Sequence, residues 1–160
     1  MERIGVFPGS FDPFTKGHED IVRRFIPQFD KVIIALGVNS KKKYMYDTNS
    51  RIEHIQSLFK GESKITIEAY EGLTIDFCHR KKAGYLLRGL RNATDFEFEK
   101  AIAHMNEDIS SAANQRVETL FLMTDKNLSA ISSSIVREIK KNNGNIDQFV
   151  TNQELLIINT

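Results

Sequence analysis

Tryptophan is missing from the 160 residues, cysteine occurs once and proline three times. A lone thiol, Cys78, excludes an internal disulfide, and its apolar neighbours Ile75 and Phe77 mark it as a small buried hydrophobe. There is no proline-rich linker, internal repeat or low-complexity tract. No apolar run approaches the roughly eighteen residues of a membrane helix, and no apolar leader core is visible. The expectation is a soluble cytoplasmic chain with no membrane partner. An excess of one charge is lacking too: 22 lysines and arginines stand against 21 aspartates and glutamates, a net charge of +1. Such a balance speaks against a nucleic-acid partner, which is held by many phosphate contacts over a basic face. Local anion sites remain open. Lys41, Lys42 and Lys43 share one polar stretch, and Arg88 and Arg91 flank Gly89.

What is present is ordinary for one globular domain, 41% apolar and 27% charged, and the length suits a single core over residues 1–160. Short β-rich runs alternate with helical patterns: Arg3 to Phe7, then His18 to Phe29; Lys31 to Val38, then Thr48 to Lys60; Lys64 to Ala69, then Leu73 to Lys82. Tyr85 to Arg88 reads as a fourth strand, Thr94 to Ala112 as a long helix capped by Thr94, Val117 to Met123 as a fifth strand, and Ser132 to Lys141 as another helix. Apolar stripes support the helices: Ile21, Phe25 and Phe29; Ile52, Ile55 and Phe59; Phe98, Ile102, Met105 and Ile109. From about residue 144 the chain reads as one or two short helices packed outside. Near-continuous apolar strands separated by helices predict an α/β fold, a Rossmann-like open five-stranded parallel sheet with helices on both faces.

In such a sheet ligands bind beyond the carboxyl ends of the strands. Four polar or glycine-rich stretches follow strands: Pro8 to Gly17, Asn39 to Asp47, Gly89 to Thr94, and Thr124 to Ser134. In the first, Pro8, Gly9, Ser10, Asp12 and Pro13 end the strand, and His18 opens a helix whose free N–H groups and dipole suit a phosphate. An imidazole there can donate to developing negative charge. Arg88 and Arg91 make a phosphate fork at a strand end; the alternative reading pairs Arg91 with Asp95, and Glu99 with a lysine, as surface charges. Ser129 and Ser132 to Ser134 offer hydroxyls and N–H donors at a second helix start. There is no Gly-x-Gly-x-x-Gly after the first strand, and Gly84 to Gly89 is followed by Leu90 instead of lysine, so neither familiar nucleotide loop is present. His54, His79 and His104 lie apart and make no metal cage.

GSFDPFTKGH resembles the nucleotidyltransferase signature in which threonine or histidine, any residue, glycine and histidine end the first loop. Together with KKKY, LLRGLRNATDFEFEKAIAHMN and ISSSIVRE, it is similar to the phosphopantetheine adenylyltransferases of bacterial coenzyme A biosynthesis, over about residues 3 to 140. That resemblance implies Mg²⁺-dependent transfer of the adenylyl group of ATP to 4′-phosphopantetheine, giving dephospho-coenzyme A and pyrophosphate by direct attack on the α-phosphorus. It implies His18, Lys42 and Arg91 as catalytic, and Ser10, Lys42, Thr74 and Arg88 as substrate-binding. ATP would meet Ser10, Phe11, His18, Gly89, Leu90, Arg91 and Glu99, and the loop Leu128, Ser129, Ala130, Ile131, Ser132, Ser133 and Ser134. Ser10 stands where threonine is frequent, and Leu128 and Ala130 where relatives can carry aromatics. No protein-held metal is implied, Mg²⁺ arriving with the ATP phosphates, and the family is typically homohexameric. The alternatives are nucleotidyl transfer to another phosphorylated acceptor, or an ATP sensor without chemistry.

Overall fold

The computed structural model describes residues 2–159. It contains β1 (Ile4–Gly9), α1 (Lys16–Phe25), β2 (Lys31–Gly37), α2 (Thr48–Leu58), β3 (Ile65–Tyr70), α3 (Thr74–Arg80), β4 (Tyr85–Leu90), α4 (Ala93–Ala112), β5 (Glu118–Met123) and α5 (Ser133–Lys141). The five strands form one parallel sheet in the order β3-β2-β1-β4-β5.

Alternate strand residues face opposite sides, and the two cores follow that period. Phe7, Val32, Ile34, Leu36 and Leu87 pack against Ile21, Val22 and Phe25 of α1 and Ile55 of α2. Val6, Ile33, Ala35 and Leu86 pack on the other face with Ile75, Phe77 and Cys78 of α3. Cys78 is buried there, and burial pushes its thiol up to about 12.

Three local expectations fail for identifiable reasons. The first helix stops at Phe25, and Ile26–Gln28 tightens into a 3₁₀ turn around Pro27, which cannot continue the α-helical ladder. Pro8 does not end β1: the strand runs on to Gly9, paired with β2 alone, because its ladder with β4 ends at Val6 and no amide hydrogen is needed on that side. The N-cap of α4 is Asn92, whose side chain accepts the Asp95 N–H at 2.9 Å, instead of Thr94.

Two larger departures concern surfaces. The apolar stripe of α4 does not face the core: Phe98 is 67% exposed, Met105 65% and Ile109 42%. Beyond residue 144 the described residues form no α-helix, only a 3₁₀ turn at Gln153–Leu155. It runs as a strap instead. Phe149 O accepts from the N–H of Lys16, Ile157 O from that of Asp47, and Met45 O from that of Asn159. Val136, Ile146 and Val150 form a small separate core beneath it.

Candidate active site

The crevice comes from the sheet. β1 pairs with β2 through six successive residues but with β4 only at Gly5 and Val6, so the carboxyl ends of β1 and β4 part at the point where the strand order reverses. Two adjoining cavities of about 380 and 360 Å³ fill the gap, with Pro8, Gly9, Ser10, Arg88 and Glu99 forming the wall between them. The first is bounded by the starts of α1 and α5. The second runs toward Tyr70, Thr74 and the inner side of α4.

At the start of α1, Thr15 is the N-cap and His18 the third helical residue, locked in a reciprocal capping box. The Thr15 N–H donates to Nδ1 of His18 at 3.0 Å. Nδ1 is therefore the acceptor, and the neutral ring carries its proton on Nε2. Phe11 and Phe14 stand 5.3 Å from the imidazole, centroid to centroid. Burial first, then the charges of Arg88 and Arg91, push the imidazole down to about 4. His18 is thus a neutral donor at neutral pH.

Beside it lies one bare backbone amide. Lys16 donates to Phe149 and Glu19 to Thr15, while the Gly17 N–H has no protein partner among the described residues. The start of α5 is docked on the same loop, Ser133 Oγ donating to Pro13 O at 2.8 Å and Arg137 to Asp12 O at 2.7 Å. Ser132 caps α5, and Ile131 to Ser134 line the first cavity. Two helix starts therefore converge on one volume, a ready anion site. Gly9 is required for close approach, since a Cβ there would stand 2.5 Å from the Phe11 ring.

Arg88 and Arg91 both reach the first cavity, but each is already held. Arg88 makes a two-armed pair with Glu99 and donates to Pro8 O at 2.9 Å. Arg91 is bidentate to Asp95, with contacts of 2.8 and 3.0 Å. Burial alone would lift the Asp95 carboxyl, but the hydrogen bonds and charge of Arg91 outweigh it and hold it low. The Arg91–Asp95 pairing is the one anticipated from sequence. Glu99 takes Arg88 as partner and not a lysine.

Of the remaining sequence candidates, Ser10, Phe11, His18 and Gly89 line the first cavity, and Ser10, Lys42, Thr74 and Arg88 the second. Thr74 shares a 2.8 Å hydrogen bond with the Tyr70 hydroxyl. Lys41 and Lys43 do not line either cavity. Nor do the side chains of Leu90, which is buried at 5% exposure in the sheet, or of Leu128, Ser129 and Ala130. His54 and His79 bind backbone carbonyls, of Thr151 and Gln115, and His104 is exposed.

Sequence reasoning missed Thr15 as the group that fixes the His18 tautomer, although a threonine three residues before a helical histidine is a legible capping pattern. It also missed Tyr44, Tyr70, Ile102 and Asn106, which line the second cavity, and the buried Arg51. No group of three or more histidine, cysteine, aspartate or glutamate side chains among the described residues is placed to hold a metal ion.

Known proteins resemble this chain in sequence and in fold. The family model described as cytidylyltransferase-like matches residues 6–139. A phosphopantetheine adenylyltransferase of Flavobacterium johnsoniae is 51% identical, covering 92% of this chain and 94% of its own. The protein of that name from Cytophaga hutchinsonii is 45% identical, covering 94% and 97%. Among solved structures, a candidate nicotinate-nucleotide adenylyltransferase from Vibrio parahaemolyticus superposes with a TM-score of 0.71, over 97% of this chain and 91% of its own. At 19% identity that likeness speaks to the fold alone.

Proposed function

Since the chain belongs to the cytidylyltransferase-like family and, within it, to the phosphopantetheine adenylyltransferases, which are nucleotidyltransferases, we propose that it transfers the adenylyl group of ATP to 4′-phosphopantetheine. The products are dephospho-coenzyme A and pyrophosphate. The observation that carries this reading is the neutral His18, its Nε2 proton fixed beside two converging helix starts.

The acceptor phosphate is ionised at neutral pH, so the transfer needs no base. It needs the attacking oxygen in line with the α-phosphorus and donors for the charge that builds on the phosphoryl oxygens. In this reading the ATP phosphates occupy the first cavity, against the Gly17 N–H and the α5 start. The acceptor phosphate lies at Lys42 and Arg88, and its neutral arm follows the slot past Tyr70 and Ile102. Ser10, on the dividing wall, serves both. The Nε2–H of His18 donates to the phosphate oxygens most strongly as charge develops.

The cleft carboxylates Asp95 and Glu99 are both taken by arginines, so the donor set fits a Mg²⁺ ion carried by ATP and not one caged by protein. Such an ion would supply charge neutralisation of the polyphosphate. The exposed Phe98, Met105 and Ile109 form a stripe that supports assembly with further copies, as in the hexamers typical of the family. Among the described residues no helix is long and apolar enough to cross a membrane, and dependence on ATP supports a cytoplasmic setting.

Pyrophosphate release from ATP tests the reading, with 4′-phosphopantetheine, nicotinate mononucleotide and dephosphorylated pantetheine compared as acceptors. Release with 4′-phosphopantetheine alone is expected. Release only with nicotinate mononucleotide would overturn the acceptor assignment, and ATP binding without release would overturn the transfer.

A further inference from the structure

Arg51 is a fully buried cation, 0% exposed, one turn into α2. Burying a guanidinium is costly unless charge and hydrogen bonds compensate it. Among the described residues it has no carboxylate within ion-pair distance, although Asp12 and Asp47 both act on it through their charge, and its Nε has no partner. An apolar side chain would stabilise this helix face at lower cost, so what the arginine contributes is to be sought in the groups it grips.

Its grip joins the two halves of the crevice. One Nη donates to the carbonyl of Ser10, and the other to Thr48 Oγ1 at 3.0 Å. The flat face lies 4.3 Å from the ring centroid of Tyr44. Tyr44 in turn holds the base of the Lys42 loop: its hydroxyl accepts the Asn39 N–H at 3.0 Å and donates to Gly37 O at 3.4 Å. Tyr44 and Lys42 line the second cavity, and Ser10 lines both.

The Ser10 carbonyl matters because a trans peptide points its C=O and the following N–H in opposite directions. Drawn toward Arg51, this carbonyl keeps its lone pairs away from any anion in the crevice and turns the Phe11 N–H to the opposite side. That N–H has no protein partner among the described residues, and Phe11 lines the first cavity with a left-handed φ of 47°. Such backbone corners offer amides to anions.

We propose that Arg51 is a positioning residue of the transfer site: it orients the Ser10–Phe11 peptide toward the donor phosphates and, through Tyr44, sets the Lys42 loop at its distance from them. The assignment of donor and acceptor rests on the reaction proposed above.

Arg51→Lys is the informative variant, since it keeps the charge but lacks both the two-armed grip and the stacking face. Affinity for the α,β-methylene analogue of ATP is measured by calorimetry, at a temperature where the protein is fully folded, together with the KM for 4′-phosphopantetheine. Ile55→Val, a core change on the same helix, is the control for destabilisation alone. The expected result is at least a tenfold loss of analogue affinity and a comparable rise in KM for Arg51→Lys, with Ile55→Val lowering Tm and leaving both within twofold. The proposal is overturned if Arg51→Lys keeps analogue affinity within twofold, or if Ile55→Val loses as much. Should the wild type release no pyrophosphate with 4′-phosphopantetheine, the reaction falls, while analogue affinity still decides the role of Arg51 at the donor side.

Discussion

Replacing Gly17 with alanine should move stability and activity in opposite directions. A Cβ built there meets nothing closer than Thr15 Oγ1 at 3.6 Å, with Leu128 O and Thr124 Cγ2 at 3.8 Å, all ordinary contacts. The residue lies in the first turn of α1, where exchanging glycine for alanine favours the helix by roughly 0.5–1 kcal/mol. For a chain of this size that raises Tm by about 1–4 °C. The same methyl group stands on the cavity wall beside the unpartnered Gly17 amide. Alanine keeps the N–H, so the expected loss comes from the methyl group holding the phosphate off it; a hydrogen bond to a charged phosphate lost in that way costs roughly 1.5–3 kcal/mol, about a 10- to 150-fold loss of affinity. Thermal melts without ligand and calorimetry with the α,β-methylene analogue of ATP read the two effects separately. A variant that binds the analogue within twofold of the wild type would refute the role given to this amide, and a Tm lowered by several degrees would refute the packing.

His18→Ala should bind the ATP analogue within a few-fold of the wild type yet lose about a hundredfold or more in turnover, as on removing one donor to developing charge; steady-state pyrophosphate release checks it. The depressed imidazole also has a stability signature. The unfolded chain takes up a proton near pH 6.5, while the folded ring resists until about 4. Stability relative to His18→Gln should therefore fall as pH drops from 6.5 toward 4, by up to about 3 kcal/mol, and be unaffected above it; urea melts at pH 7.5, 5.5 and 4.5 decide. Lys42→Ala should raise the KM for 4′-phosphopantetheine tenfold or more, whereas Lys41→Ala with Lys43→Ala should leave it within twofold. Phe98→Glu combined with Met105→Glu should shift the protein to a smaller species in sedimentation, while the untouched cores leave the monomer folded.

The alternation of apolar runs and helical stripes was enough to read the sheet, its helical layers and the loops that meet, because burial on both faces writes itself into composition. The position of His18 was legible for the same kind of reason: glycine and a break in pattern mark a helix start. Its tautomer was not read, since that depends on a backbone amide three residues away. Asn92 and Thr94 are both good caps two positions apart, and their residue types do not say which will accept the first-turn amide; the structure has Asn92 accepting the Asp95 N–H. The stripe on α4 shows where a period can mislead: spacing names an apolar face without saying what covers it. Arg51 was hidden by the prior that arginine is exposed, a rule that fails when loops from elsewhere in the chain close over a cation. The strap escaped notice because much of its hold is through backbone groups, such as Phe149 O, Ile157 O and the Asn159 N–H, which no side-chain pattern records.

The strand order has a consequence for how the chain is made. β1 precedes the other strands in the chain and its partner β2 is complete at residue 37, but its other neighbour, β4, begins at residue 85. A sheet begun before then would hold three of its five strands and leave the β1 edge open, the kind of edge that invites pairing with the wrong chain. Closing it requires a contact across about half the sequence, which is entropically slow, and the closure amounts to two residue pairs, Gly5 with Tyr85 and Val6 with Leu86. The join that completes the sheet during synthesis is therefore also the one whose brevity opens the crevice.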